Sequence, residues 1–225
     1  MGSVVTMSRK LYYTTQFDGL LGMIPHYQSY PRMMPFVGSK YGQYGPKILL
    51  VAESHYLPPE VTVHLDADKW YSGMEAELRP EDKPGWFNTR NILNKNAGKW
   101  NKKGHTIYRH LEAALIEAGF PESDNTFQYV AFMNGFQRPA VSKLSINATP
   151  RDVEVSSQTI QSVIDVLKPD HLVFVSTKAK RYLGKNLSIK HDVVPHPASA
   201  WWYRPSKRGS GKEQFVRLIT DFMSR

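Results

Sequence analysis

The chain has 225 residues, with 29 Lys and Arg against 20 Asp and Glu, a formal net charge of +9. A hydrophobic content of 41% and a charged content of 22% are those of a folded globular chain of one domain, or at most two small ones. No apolar run reaches the roughly 18 residues of a membrane span, residues 1–10 lack the apolar stretch of a secretory signal, and the absence of cysteine excludes disulfides, thiolate zinc sites, iron–sulfur clusters and a cysteine nucleophile. The expectation is an intracellular, basic protein that neither enters a membrane nor carries a metal or other cofactor.

Residues 1–45 are rich in Tyr, Met, Gly and Pro without a clear period, and read as an irregular arm packed on a domain spanning residues 46–225. Lys47-Ile48-Leu49-Leu50-Val51-Ala52 is short and nearly all apolar, the pattern of a strand buried on both faces of a parallel sheet. A long loop follows, broken by Pro58-Pro59, Pro80 and Pro84-Gly85. Thr106 is placed to cap a helix whose stripe is Ile107, Leu111, Ala114, Leu115 and Ala118, closed by Gly119 and Pro121. Residues 127–133 read as a second strand. Thr149-Pro150 opens another helix, with Ile160, Val163, Ile164 and Leu167 apolar, which Pro169 stops. A third strand is expected over residues 171–176, a short fourth over 192–194, and a final amphipathic helix over 212–223 carrying Phe215, Leu218, Ile219 and Phe222. Strands alternating with helices predict an α/β domain: three layers, α/β/α, around a mostly parallel sheet of four strands.

The positive charge is concentrated. Residues 83–111 hold seven basic side chains and no acid; residues 171–212 hold nine against Asp192. The two stretches together carry +15, which leaves −6 for the rest of the chain. Both are interleaved with Trp and Tyr, a combination suited to a polyanion, although a solvated basic surface would have the same composition.

Sites in such sheets lie beyond the carboxyl ends of the strands. After the first strand comes Glu53-Ser54-His55-Tyr56; after the second, Asn134-Gly135-Phe136-Gln137-Arg138-Pro139; after the fourth, Pro195-His196-Pro197-Ala198-Ser199-Ala200-Trp201-Trp202-Tyr203-Arg204. In this order the chain resembles the uracil-DNA glycosylase superfamily, whose first motif is G-Q-D-P-Y-H or a relative and whose second is H-P-S-P-L-S-x-Y-R. His196, Pro197, Tyr203 and Arg204 match the second motif at its spacing, and Asn134 holds the place of the Asn that reads the base. The likeness covers about residues 45–223. It departs from the family where Ser54 stands at the water-activating Asp and Ala200 at the wedge Leu; Trp201 or Trp202 could replace the wedge. With no cysteine, the iron–sulfur branches of the superfamily are excluded.

The resemblance implies a monofunctional DNA glycosylase that hydrolyses the N-glycosidic bond of a flipped damaged, deaminated or modified base. It would act as a monomer on duplex or single-stranded DNA without a cofactor. Cleavage needs a donor at the departing base and a positioned water at the sugar. His196 is the candidate donor, or else caps a turn before Pro197. Glu53 could orient or activate the water, or simply pair with a cation. Ser54 could only position a water, and His55 could be a base or an exposed loop residue. Asn134 offers an amide donor and acceptor to a base, or ends its strand by bonding local backbone. Tyr56 would line the pocket, and Trp86 and Phe87 would stack on the base or belong to the core. Trp201 and Trp202, adjacent in a basic loop, cannot easily both be buried on one face. One of them is expected to stack or wedge, with Arg204, Lys207, Arg208 and Lys212 on phosphates. Gly209-Ser210-Gly211-Lys212 lacks the upstream Gly of a phosphate loop and has Glu213 where that loop needs Ser or Thr, so it reads as a flexible basic hairpin. Two rivals remain: a nucleic-acid-binding relative without the chemistry, and a glycosidase of free nucleosides.

Overall fold

A computed structural model describes residues 10–73, 88–95 and 100–224. Among these, eight α-helices and seven strands alternate. Two short helices, α1 (Asp18–Leu21) and α2 (Pro25–Ser29), precede strand β1 (Phe36–Val37). β2 (Ile48–Ala52) leads through β3 (Tyr56–Leu57) to α3 (Ala67–Tyr71), α4 (Thr89–Lys95) and α5 (Thr106–Glu117). Next come β4 (Ala131–Asn134), β5 (Ala140–Val141), α6 (Pro150–Leu167) and β6 (His171–Phe174). α7 (Thr177–Leu183), β7 (His191–Val193) and α8 (Gly211–Met223) complete the chain.

The main sheet has five strands in the order β1-β4-β2-β6-β7, and β3 pairs separately with β5. β4, β2, β6 and β7 run parallel; β1 is antiparallel at the edge, with Phe36 opposite Phe132. The expected count of four strands is therefore corrected to five. The extra strand comes from the segment read as an irregular arm. Two residues are too few to show a period of two, so β1 left no pattern to detect.

β2 is buried along its whole length, as its unbroken apolar run requires. Its side chains alternate between two cores. Leu49 and Val51 join Met133, Phe174 and the apolar stripe of α6 on one face, together with Leu21, Tyr27 and Tyr30 of the N-terminal segment. Ile48, Leu50 and Ala52 join Phe132, Val173, α5 and α8 on the other. α6 starts where Thr149-Pro150 predicts, with the Thr149 side chain and Asp152 forming a reciprocal capping box. It stops at Lys168, which adopts φ +47 just before Pro169. α5 starts at Thr106 rather than being capped by it, since His105 takes the cap position, and Gly119 (φ +110) ends the segment. No described helix is long and apolar enough to cross a membrane.

The register sets the site. Ala52 lies opposite Asn134, Val51 opposite Phe174, and Phe174 opposite Val193, so the four parallel strands end at one level. From β2 the chain goes to β4 on one side and then crosses to β6 on the other. That makes the end of β2 the switch point, where a crevice opens in such sheets.

Candidate functional site

Glu53, the first residue beyond β2, is half-buried and held from two neighbouring segments. Ser145, in the loop between β5 and α6, donates its hydroxyl to Glu53 Oε1, and Ser176, just beyond β6, donates to Oε2 at 3.4 Å. The segment after β4 runs alongside: Gly135 N donates to Ala52 O at 3.0 Å and Phe136 N to Glu53 O at 2.8 Å. Those backbone bonds bring Asn134 to the rim next to Glu53. The Asn134 side chain forms no hydrogen bond with the described residues, so its donor and acceptor are uncommitted. Its backbone carbonyl accepts from Gln137 Nε2 at 2.7 Å.

His196 follows β7 in a turn closed by Ser199 N donating to His196 O at 2.8 Å. Ala198 N donates to His196 Nδ1 at 3.1 Å, which makes Nδ1 an acceptor and leaves Nε2 to carry the ring proton of the neutral form. The turn-capping reading of this histidine is thus seen at Nδ1, while Nε2 forms no hydrogen bond with the described residues. Burial holds the His196 pKa below the usual histidine value, with the Glu53 carboxylate pulling the other way. At neutral pH His196 is therefore an uncharged donor. Tyr56 lies on β3, half-buried, its phenol pushed up by burial and by the Glu53 charge.

Other candidates are placed elsewhere. His55 is buried rather than exposed, with Nε2 3.0 Å from the Thr89 hydroxyl of α4, and so ties two segments together beneath the site. Ser54 is also buried, and its hydroxyl has no partner among the described residues. Trp86 and Phe87 lie outside the described residues. Arg138 is a structural residue: its guanidinium is buried against Asp152, with Nε–Oδ1 2.8 Å and Nη2–Oδ2 2.6 Å, and it also donates to the carbonyls of His64 and Asn147. That pair pins the segment after β4 to the start of α6.

The two tryptophans separate. Trp202 is 0% exposed and packs on Phe215 of α8, with ring centroids 5.9 Å apart, so its expected stacking role is corrected to core packing. The short 3-10 turn over residues 200–202 forces the division, because neighbours on such a turn point in different directions. Trp201 is 53% exposed, with the Arg204 guanidinium over its ring at 4.8 Å. Tyr203, 58% exposed, sets its ring edge to face with His110 at 5.0 Å. His110 Nδ1 in turn donates to Pro197 O at 2.6 Å and so anchors the second motif to α5.

The basic hairpin is stapled. Ser206 and Gly209 close a turn, Gln214 Nε2 donates to Gly209 O at 3.0 Å, and Ser210 and Glu213 form a capping box at the start of α8. Lys207, Arg208, Gly209, Glu213 and Arg217 line an open hollow of about 510 Å³ there. Lys212, expected on phosphates, is ion-paired with Glu117 of α5 at 2.6 Å. Arg204, Lys207 and Arg208 remain exposed. Among the described residues no cluster of His, Cys, Asp or Glu could hold a metal ion.

Sequence reasoning missed Ser145, Ser176, Lys178 and His110. Ser176 carried a usable signal, since it immediately follows an apolar strand; the others are marked only by where the chain folds. Comparison with protein-family models and with curated proteins finds no match to this chain.

Proposed function

We propose that the protein is a divergent relative of the uracil-DNA glycosylases, with a three-layer α/β/α domain, that hydrolyses the N-glycosidic bond of a base turned out of DNA. The observation that carries this reading is the grouping of Glu53, Asn134 and His196 at one edge of the parallel strands. Its rim displays Trp201 and the cations of residues 204–208. In this reading the Asn134 amide pairs with the extruded base and Trp201 occupies or flanks the vacated stack. His196 Nε2–H donates to the base as the C1′–N bond breaks and the base leaves with the electron pair. Water adds to C1′, and Glu53 accepts its proton. Arg204, Lys207 and Arg208 bind phosphates, which sets affinity without sequence preference.

Duplexes carrying a single uracil, hypoxanthine, mismatched thymine or modified cytosine, followed by alkaline cleavage, test the proposal. Strand breaks at one of these bases are expected, and His196→Ala should slow their formation about 10²–10³-fold, the cost of one preorganised donor. A second reading, DNA binding without hydrolysis, is favoured by Ser54, where a buried hydroxyl with no partner among the described residues stands in place of the family's Asp. Tight, salt-sensitive binding with no strand breaks on any duplex would establish that second reading and end the first.

A further inference from the structure

Lys178 occupies the first turn of α7, the end of a helix least favourable to a cation, and no acidic side chain accompanies it there. Its ammonium turns away to the loop between β5 and α6, donating to Ser145 Oγ at 2.9 Å and to the carbonyl of Ile146. Ser145 in turn donates to Glu53 Oε1. Ammonium, hydroxyl and carboxylate therefore form a chain across three segments that follow β6, β5 and β2.

We propose that Lys178 and Ser145 are positioning residues that aim Glu53, resting on the role given to Glu53 above. A serine hydroxyl has one proton and two lone pairs. With a lone pair taken by the Lys178 ammonium, the hydroxyl proton is committed to Glu53 Oε1. Charge-assisted bonds at both ends make that orientation stronger than a neutral pair would. Oε2, held among the described residues only by the 3.4 Å contact from Ser176, stays available to accept from a water. The second Lys178 bond, to the backbone of the buried Ile146, keeps the ammonium on the loop when Ser145 rotates. Without the relay Oε1 loses its donor, and the carboxylate is free to turn toward the His196 ring, whose pKa its charge already raises.

The titration of His196 reads this directly, because Glu53 is the charge among the described residues whose field reaches that ring. Lys178 acts on it only through Glu53. The ring is followed by 1H–15N NMR in the full chain of wild type, Ser145→Ala, Lys178→Met, the double variant and Lys178→Arg. Ser145→Ala and Lys178→Met should each raise the His196 midpoint by about half a pH unit as the carboxylate approaches the imidazolium. The double variant should shift no further than either single one, since both break one chain. Lys178→Arg, which keeps a cationic donor, should restore the wild-type midpoint. A His196 midpoint unmoved by Ser145→Ala, or shifts that add in the double variant, would overturn the relay. Ser145 is exposed, so its replacement leaves the fold intact. The NMR readout is independent of catalysis. If wild type cleaves no base while the midpoints move as described, the functional reading fails and the relay stands. If the enzyme is active, both variants should lower kcat about tenfold with KM unchanged, the mark of a group that acts on the transition state alone.

Discussion

Replacing Trp202 by Ala should cost stability, and replacing its neighbour Trp201 should cost binding. Trp202 is fully buried between the sheet and α8, against Phe215. A buried Trp removes roughly 150–250 Å² from water, worth about 4–6 kcal/mol at about 25 cal/mol per Å². Measured Trp→Ala changes in cores run about 3–5 kcal/mol. The indole N–H of Trp202 has no acceptor among the described residues, so that value is already reduced by an unsatisfied donor. It follows that Trp202→Phe should be much milder, about 1–2 kcal/mol, because it removes the orphaned donor along with part of the ring. Trp201→Ala, at a side chain more than half exposed, should move stability by no more than about 0.5 kcal/mol. If the proposed DNA-binding role holds, its effect should instead be a loss of about 1–3 kcal/mol in affinity for DNA holding an unpaired base. Urea unfolding followed by far-UV circular dichroism gives the first quantity, and fluorescence anisotropy at fixed salt the second. Equal losses of stability at the two positions, or an unchanged urea midpoint in Trp202→Ala, would refute the division of roles.

Three further outcomes follow from the site and its supports. Removing Arg138 leaves Asp152 as an uncompensated buried charge. Burial pushes the Asp152 pKa up, and the Arg138 guanidinium together with hydrogen bonds from Thr149 and Tyr71 brings it below the usual value, so Arg138→Met should destabilise by about 3–5 kcal/mol in urea unfolding. Burial pushes His26 down to about 3 and His64 down to about 4, against about 6.5 in an unfolded chain. The unfolded state therefore binds more protons in that interval. Both contributions to stability are intact above pH ~6.5 and fall by about 1.4 kcal/mol per unit for each ring as the pH drops toward 4 and 3. Urea midpoints at pH 7.5 and 5 should thus differ less in His64→Gln than in wild type, and an equal difference would count against the buried neutral ring. Finally, Glu53→Gln should lower the His196 midpoint further in NMR titration, since it removes the one interaction opposing burial there.

The elements that the sequence announced are those with physics local to the chain. β2 is an uninterrupted apolar run, and α6 begins at Thr149-Pro150 and ends before Pro169 because capping and the proline ring act within a few residues. α3, α4 and α7 were not legible, since five to seven residues are too few for a 3.6-residue period to stand out. Among the candidate site residues, Glu53, Asn134 and His196 could be singled out because each lies at, or within three residues of, the carboxyl end of a strand. His55 and Trp202 carried the same kind of signal and were misassigned, because nothing in their neighbours states whether the ring turns inward.

Alone, the sequence determined an α/β chain with a parallel core, a concentrated positive charge and three polar segments beyond its strands. Tertiary structure decided that Ala52 sits opposite Asn134, that one tryptophan of the pair is core and the other surface, and that Lys212 is spent on Glu117. It also decided that Lys178 reaches Glu53 through Ser145. Strand register and side-chain partners depend on residues distant in sequence, 33 positions for Lys178 and Ser145 and 92 for Ser145 and Glu53, and no local propensity encodes a contact at that separation.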